Sequence, residues 1–193
     1  MNVAILKYNA GNIYSVQRAL NRLGYEAILA DEVEVLETAD KIIFPGVGEA
    51  SSAMAYLRQR GLDAWLVQTR KPVLGICLGL QLLCKFSEEN QTSGLNIFPV
   101  LVRRFPPNGK VPHTGWNTIG QLKGPLFAGV DEGAYVYFVH SYYPELTPWT
   151  AAETEYLVSF SAAIERENFF GVQFHPEKSG TVGEIILRNF LEL

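Results

Sequence analysis

Short apolar runs alternate with amphipathic segments through the first half of the chain, and this order restricts the fold more than any other feature. The runs predict strands that are buried on both faces, and they lie at residues 3–8, 25–30, 41–44 and 73–76. The segments between them have helical spacing, and they lie at residues 13–23, 51–60, 62–69 and 78–86. Asn12 is a candidate cap for the first helix. A β-α-β-α order predicts a parallel sheet with right-handed crossovers.

The second half of the chain is richer in strands. Five further strands are predicted, at residues 97–105, 135–139, 150–156, 158–165 and 169–174. Their short connections favour antiparallel pairing. A final helix is expected over residues 181–191, with Thr181 and Glu184 spaced as a capping box. We therefore expect one α/β domain over residues 1–193, with a mixed, mostly parallel sheet flanked by helices and an antiparallel second half.

Composition excludes several classes of protein. The net charge of −4 lacks the basic excess of a nucleic-acid binder. No apolar run reaches the roughly 18 residues of a membrane span, and the first residues lack the features of a signal peptide. We expect a cytoplasmic protein without metal or cofactor, since the three histidines and two cysteines do not cluster at ligand spacing. Cys77 and Cys84, about 10 Å apart on one predicted helix, should be free thiols.

Residues 75–79, Gly-Ile-Cys-Leu-Gly, carry the strongest chemical signal. They have the form of a nucleophile elbow, Gly-x-Ser-x-Gly, with cysteine in place of serine, between a predicted strand and a predicted helix. The glycines are expected because the neighbours of such a turn leave no room for a Cβ atom. The helix N-terminus would favour the thiolate of Cys77. A buried cysteine in an ordinary turn is the alternative interpretation.

Residues 171–177, Gly-Val-Gln-Phe-His-Pro-Glu, supply the partners that such a nucleophile needs. His175 ends a predicted strand, and Glu177 follows two residues later, on the same side of an extended chain. Pro176 biases His175 towards that extended conformation. Glu177 can then bind one ring nitrogen while the other faces Cys77. A histidine at a strand end is often structural, but the two segments together predict a Cys–His–Glu triad.

Residues 75–81 and 171–177 match the two signature segments of the class I glutamine amidotransferases, and the chain resembles that family. Within it, the chain is most similar to the glutaminase subunits of imidazole glycerol phosphate synthases. The segments of this closer likeness extend over nearly the whole chain, at residues 8–12, 45–48, 112–117, 137–142 and 175–179. The resemblance implies an α/β sandwich related to the flavodoxin-like sheet.

The resemblance also implies a reaction and a set of site residues. Cys77 would attack the side-chain amide of L-glutamine, His175 would transfer protons, and Glu177 would hold the imidazole. The oxyanion would meet the backbone N–H groups of Leu78 and Gly48. The substrate-binding residues carried over from the family are Gly46, Gln81, Glu89, Ser141 and Tyr142.

A partner is implied as well. Ammonia released into neutral water is mostly ammonium, which is not a nucleophile, so the product must pass to a synthase at once. The family's partner is a (βα)8-barrel cyclase subunit, with which the chain would form a heterodimer in histidine biosynthesis. The interface residues carried over from the family are Asn12, Ser15, Arg18, Trp116, Tyr137 and Lys178.

Three alternatives remain open from the sequence. The chain could serve another ammonia-channelling synthase, such as pyridoxal phosphate synthase, although residues 112–117 argue against it. A cysteine hydrolase or peptidase with the same elbow would work alone and on other substrates. A binding module without activity is disfavoured by the intact Cys77, His175 and Glu177.

Overall fold

A computed structural model describes residues 1–8 and 11–193, so Asn9 and Ala10 of the segment 8–12 lie outside the described residues. The strands in chain order are β1 (Val3–Leu6), β2 (Ala27–Ala30), β3 (Lys41–Phe44), β4 (Val73–Ile76), β5 (Cys84–Ser87), β6 (Thr92–Ser93), β7 (Phe98–Arg104), β8 (His113–Thr118), β9 (Tyr135–His140), β10 (Tyr142–Pro144), β11 (Thr150–Tyr156), β12 (Val158–Arg166) and β13 (Phe169–Val172). The helices are α1 (Ile13–Arg22), α2 (Val33–Leu36), α3 (Ala50–Gln59), α4 (Leu62–Gln68), α5 (Leu78–Leu83) and α6 (Gly180–Glu192), with short 3-10 turns at Glu89–Gln91, Pro125–Phe127 and Pro176–Lys178.

The main sheet has the strand order β11-β12-β13-β4-β3-β1-β2. Strands β13, β4, β3, β1 and β2 are parallel to one another, whereas β12 pairs antiparallel with β13 and β11 pairs antiparallel with β12. A smaller sheet has the order β10-β7-β5-β6, and β8 pairs with β9. The predicted mixed, mostly parallel sheet and the antiparallel second half are therefore confirmed.

Hydrophobic clusters cover both faces of the main sheet. Alternate residues of β1 divide between them, with Val3 and Ile5 in one cluster and Ala4 and Leu6 in the other, as the period of two in a strand requires. Helices α1 and α6 contribute to the first cluster, and α3, α4 and α5 contribute to the second. Burial on both faces explains why these strands appear in the sequence as unbroken apolar runs.

The helix after Cys77 is shorter than the sequence pattern predicts. Helix α5 ends at Leu83, and Cys84 begins β5, where it pairs with Phe98 of β7. Pairing with a strand from another part of the chain overrides the local helical pattern. The two cysteines thus do not share a helix, so the distance argument for their separation is wrong, although both thiols are free.

Both predicted side-chain caps are wrong. Asn12 precedes α1 in a left-handed conformation (φ 74°) and makes no capping bond. Helix α6 begins one residue before Thr181, and Glu184 instead pairs with Arg22 at 3.0 Å. In the described part of the chain, no helix is both long and apolar enough to cross a membrane.

Candidate active site

Cys77 occupies a sharp turn between β4 and α5. Its backbone is strained, with φ 52° and ψ −105°, as expected of a nucleophile elbow. A Cβ atom on Gly79 would lie 1.9 Å from the Phe44 carbonyl oxygen, and one on Gly75 would lie 2.8 Å from the Leu80 nitrogen. This confirms the prediction that the residues on either side of Cys77 must be glycines, because the turn leaves no space for a Cβ atom at these positions.

The sheet brings His175 to this turn. Strand β13 runs parallel to β4, with Gly171 opposite Gly75, so the residues that follow the two strands emerge at the same edge. The Cys77 N–H donates to the Val172 carbonyl at 2.8 Å, which extends the ladder into the turn. Parallel neighbours in the sheet therefore place the two signature segments together.

Glu177 holds the ring of His175. The distance from His175 Nδ1 to Glu177 Oε1 is 2.7 Å. Glu177 lies in the 3-10 turn Pro176–Lys178, so the extended chain that the sequence predicts between the two residues is wrong. Ser179 stabilises the turn, because its hydroxyl donates to the His175 carbonyl at 2.7 Å. A tight turn that begins with proline achieves the contact that was expected from an extended segment.

The three groups are almost completely shielded from solvent. The exposed fraction is 0% for His175, 6% for Cys77 and 9% for Glu177. Burial alone would lower the pKa of His175, but its interactions with Cys77 and with Glu177 raise that pKa to about 10. Nδ1 is bound to Glu177, whereas Nε2 is buried and has no hydrogen-bond partner in the free chain. The raised pKa favours a protonated ring at neutral pH.

A cavity of about 280 Å³ opens over Cys77. This volume is at the small end for ligand pockets and suits a molecule the size of an amino acid. Its lining includes most of the residues expected to bind substrate or oxyanion, namely Gly48, Leu78, Gln81, Glu89, Ser141 and Tyr142. Gly46 is not part of the lining. Val47, Pro112, Val139 and His140 also line the cavity; they belong to the family-like segments but were not predicted as site residues.

The backbone N–H of Leu78 is already occupied. It donates to the Gly46 carbonyl at 3.3 Å. The carbonyl of Val47, in the peptide that precedes the Gly48 nitrogen, accepts from the Gly11 N–H, also at 3.3 Å. The Leu78 N–H, one of the two expected oxyanion donors, is thus already hydrogen-bonded inside the protein. The peptide that contains the other expected donor, the Gly48 N–H, is bound through its carbonyl to Gly11, just before α1.

Two polar side chains of the cavity have internal partners. Gln81 Nε2 donates both to the Tyr142 carbonyl and to Gln173 Oε1, each at 3.0 Å. Glu89 Oε2 accepts from the Ala50 N–H at 2.8 Å. Burial raises the pKa of the Glu89 carboxyl, against the lowering effect of that bond. The side-chain carbonyl oxygen of Gln81 and the Oε1 atom of Glu89 are therefore available to bind a ligand.

Gln173 lies beside Cys77 and was not among the site residues predicted from the sequence. Its side chain is fully buried, and its Nε2 donates to Cys77 Sγ at 3.5 Å. The signal was a glutamine inside an otherwise apolar run, two residues before His175 and therefore on the same side of an extended chain. Buried polar groups of this kind need partners, which makes them candidates for a role at a site.

Several residues expected at a partner interface lie near one another. Trp116 is 55% exposed and meets Tyr137 edge to face, with 6.0 Å between ring centroids. The Nζ atom of the exposed Lys178 lies 5.9 Å from the centre of the Tyr137 ring. Ser15 is half-buried and Arg18 exposed on α1, which packs against the turn that holds Lys178.

Asn12 differs from the other predicted interface residues. Its side-chain amide donates to Glu177 Oε1 and lies 3.4 Å from His175 Nδ1. Asn12 thus holds the Glu177 carboxylate, a member of the predicted triad, from the start of α1. Among the residues described by the structure, no group of three or more histidine, cysteine, aspartate or glutamate side chains could hold a metal ion.

Known structures share this fold. A glutamine amidotransferase crystal structure aligns with a TM-score of 0.78 at 21% identity and covers 100% of this chain and 98% of its own. A putative GMP synthase subunit from Thermoplasma acidophilum aligns with a TM-score of 0.76 at 20% identity, over 100% of this chain and 93% of its own. At this level of identity, the likeness is evidence of the fold alone.

Sequence comparison is more specific. The family model for glutamine amidotransferase class-I matches residues 4–193. Imidazole glycerol phosphate synthase subunit HisH of Bacteroides fragilis is 56% identical, and that of Salmonella typhimurium is 45% identical, each over 100% of both chains. The chain therefore belongs to the class I glutamine amidotransferases, among the HisH subunits of imidazole glycerol phosphate synthase.

Proposed function

We propose that this chain is the glutaminase subunit of an imidazole glycerol phosphate synthase. It hydrolyses L-glutamine to glutamate and ammonia and passes the ammonia to a cyclase subunit in histidine biosynthesis. The observation that carries the proposal is the elbow at Cys77, which opens on an amino-acid-sized cavity at the sheet edge where His175 is held by Glu177. We further propose that residues 1–193 act as one amidotransferase domain in the cytoplasm.

The chemistry is acyl transfer in two stages. The Cys77 sulfur attacks the side-chain amide carbon of glutamine, a C–S bond forms, and the C–N bond breaks. His175 supplies the proton with which the nitrogen leaves as ammonia. Water then attacks the thioester, His175 takes its proton, and the products are glutamate and the regenerated cysteine. Glu177 keeps the ring in the required orientation throughout.

The substrate's charged groups match the free atoms of the cavity. The carbonyl oxygen of Gln81 can accept from the substrate ammonium, because both amide hydrogens of Gln81 are engaged elsewhere. Glu89 would offset the positive charge of the same ammonium. The backbone of Ser141 and Tyr142 would meet the substrate carboxylate. Gly46 is proposed to act indirectly, through its carbonyl contact with Leu78.

The oxyanion site is incomplete in the free chain. A tetrahedral oxyanion needs the N–H groups of Leu78 and Gly48, but the Leu78 N–H is bonded to Gly46. We propose that this bond breaks when the partner docks on α1, because the adjoining Val47 carbonyl is tied to Gly11, just ahead of that helix. Glutamine would then be hydrolysed only where its ammonia can be used.

The proposed partner is a (βα)8-barrel cyclase subunit, bound as a heterodimer. The surface proposed for it consists of Ser15, Arg18, Trp116, Tyr137 and Lys178, with Asn12 behind it. Exposed tryptophan and arginine are typical anchors of protein interfaces. Nucleic acid and membrane are not proposed as partners, given the acidic composition and the helices described.

The test is a coupled assay. Glutamate production is measured for the chain alone, with the cyclase subunit from the same genome, and with that subunit plus its nucleotide substrate. We expect slow turnover alone and a rise of about 10²–10³ in the complete mixture, the value of one oxyanion donor. Hydrolysis that is equally fast without the partner would contradict the coupling, and absence of glutamate in every mixture would overturn the function. A barrel enzyme of another pathway is the matched control.

A further inference from the structure

The side chain of Gln173 lies against the nucleophile. Its Nε2 is 3.5 Å from Cys77 Sγ, and the residue has no exposed surface. We propose that Gln173 is a further catalytic residue, which donates an N–H to the Cys77 sulfur and stabilises the negative charge on it. This inference rests on the proposed glutaminase function, and it gives the sulfur a donor that is not part of the predicted Cys–His–Glu triad.

The direction of this hydrogen bond is determined by its neighbours. The Tyr142 carbonyl can only accept, so Gln81 must present its NH₂ group there. The second hydrogen of that NH₂ group donates to Gln173 Oε1 at 3.0 Å. Gln173 therefore has its oxygen towards Gln81 and its NH₂ group towards the sulfur. The relay from Tyr142 to Cys77 orients a donor, not an acceptor, at the nucleophile.

The other neighbours of the sulfur make this donor important. The Cys77 thiol faces the Val139 carbonyl at 3.9 Å, a contact that suits the thiol and becomes repulsive when the sulfur is negative. The ionisable neighbours are His175 and the buried Tyr8, whose pKa is raised by burial and further by the charge of Cys77. Gln173 offsets the Val139 repulsion without an ionisation of its own.

Gln173 also differs from His175 in what it does during the reaction. His175 loses its proton when ammonia departs and regains one from water, so its charge changes in each cycle. The Gln173 amide does not titrate, so its N–H remains at the sulfur both when Cys77 attacks and when the thioester breaks. Hydrogen bonds to charged groups are the stronger kind, and this one is buried.

The primary test measures the nucleophile without glutamine. In a Cys84→Ala background, the rate of Cys77 alkylation by iodoacetamide is measured against pH for the parent, Gln173→Met, Gln173→Glu and Ser161→Ala. Methionine is similar in size to glutamine but lacks the N–H group that donates to the sulfur. Glutamate keeps an oxygen that accepts from Gln81, but it places its other oxygen, instead of an N–H group, next to the sulfur. Ser161 is the matched control, since it is fully buried and hydrogen-bonded to Glu145 and Thr150, with no bond to Cys77.

We expect both Gln173 variants to move the midpoint of the alkylation profile upward, by about one pH unit for methionine, while Ser161→Ala leaves it in place. In the complex with the cyclase, kcat for glutamine should fall about tenfold with little change in KM. A midpoint that coincides with the parent in the folded glutamate or methionine variant would overturn the inference. If the parent and all variants lack glutaminase activity, but the Gln173 variants still shift the alkylation midpoint, the proposed function would be rejected and the inference would not.

Discussion

Asn12 donates a hydrogen bond to the same Glu177 oxygen that binds His175. Asn12 stands at the start of α1, while His175 and Glu177 follow β13 near the other end of the chain. The left-handed backbone of Asn12 aims its amide at the triad and away from the helix that it precedes. The residue that begins this helix therefore links the predicted triad to the proposed partner surface, part of which lies on the same helix.

Replacing Asn12 with alanine should reduce glutamine turnover in the saturated complex by about 10-fold or more. The reason is that a hydrogen bond to a charged group contributes roughly 1.5–3 kcal/mol, and its loss lets Glu177 and the ring shift. Turnover is measured at saturating cyclase, so that weaker docking does not contribute. Arg22→Ala, at the exposed end of α1, is the control and should keep parent turnover. Equal rates for the two variants would remove Asn12 from the support of the triad.

The two cysteines should behave differently. Cys77→Ala should abolish glutamine hydrolysis while binding to the cyclase persists, because the nucleophile is lost and the fold is not. Cys84→Ala should retain turnover, since that thiol lies on β5, bonds to the Leu80 carbonyl and has a pKa raised by burial. Glutamine should protect Cys77, and not Cys84, from alkylation. Activity close to the parent in Cys77→Ala would reject the assigned nucleophile.

Lys178→Ala should weaken coupling to the partner more than it weakens the chemistry. The ammonium group lies over the Tyr137 ring at the proposed interface, next to Glu177 in the chain. A partly desolvated pair with a partner carboxylate contributes roughly 1–3 kcal/mol. The measurement is a double-mutant cycle with that carboxylate, followed through ligand-stimulated turnover. Lys123→Ala is the control, and simple addition of the two single effects would show that the pair is not coupled.

The buried His113–His140 pair should make the protein sensitive to acid. Burial lowers the pKa of His113 to about 4 and that of His140 to about 3, so both are neutral in the folded chain at neutral pH. The unfolded histidines take up protons first, near pH 6.5, so the free energy of unfolding should fall as the pH drops below that value towards 4. We expect a loss of roughly 2 kcal/mol per histidine between pH 7 and pH 5.

His113→Asn tests this prediction. The distance from His113 Nδ1 to His140 Nε2 is 3.0 Å, and an asparagine side chain can still donate a hydrogen bond to that atom. Unlike histidine, however, asparagine does not titrate. Urea unfolding at pH 5 and pH 7 should show a smaller acid loss in the variant than in the parent. The same loss in both proteins would mean that other groups, such as carboxylates, account for the acid sensitivity.

Local patterns in the sequence were sufficient for the elements of the parallel core and for the sharp turn at Cys77. Strands β3 and β4 have the predicted bounds, because burial on both faces requires an unbroken apolar run. The elbow at Cys77 was recognisable because two glycines without space for a Cβ atom must flank such a turn. The contact between His175 and Glu177 was predictable for a similar reason, since the two residues are near neighbours in a short segment.

The tertiary structure decided the features that depend on distant residues. Asn12 and Glu177 are 165 positions apart, and Gln173 and Cys77 are 96 apart, so no local pattern predicts either contact. Cys84 joins a strand and not a helix because β7 offers its backbone a partner. The occupied Leu78 N–H likewise depends on how the 45–48 segment packs against the elbow. Periodicity predicts which face of an element is buried, but only packing decides which polar groups meet there.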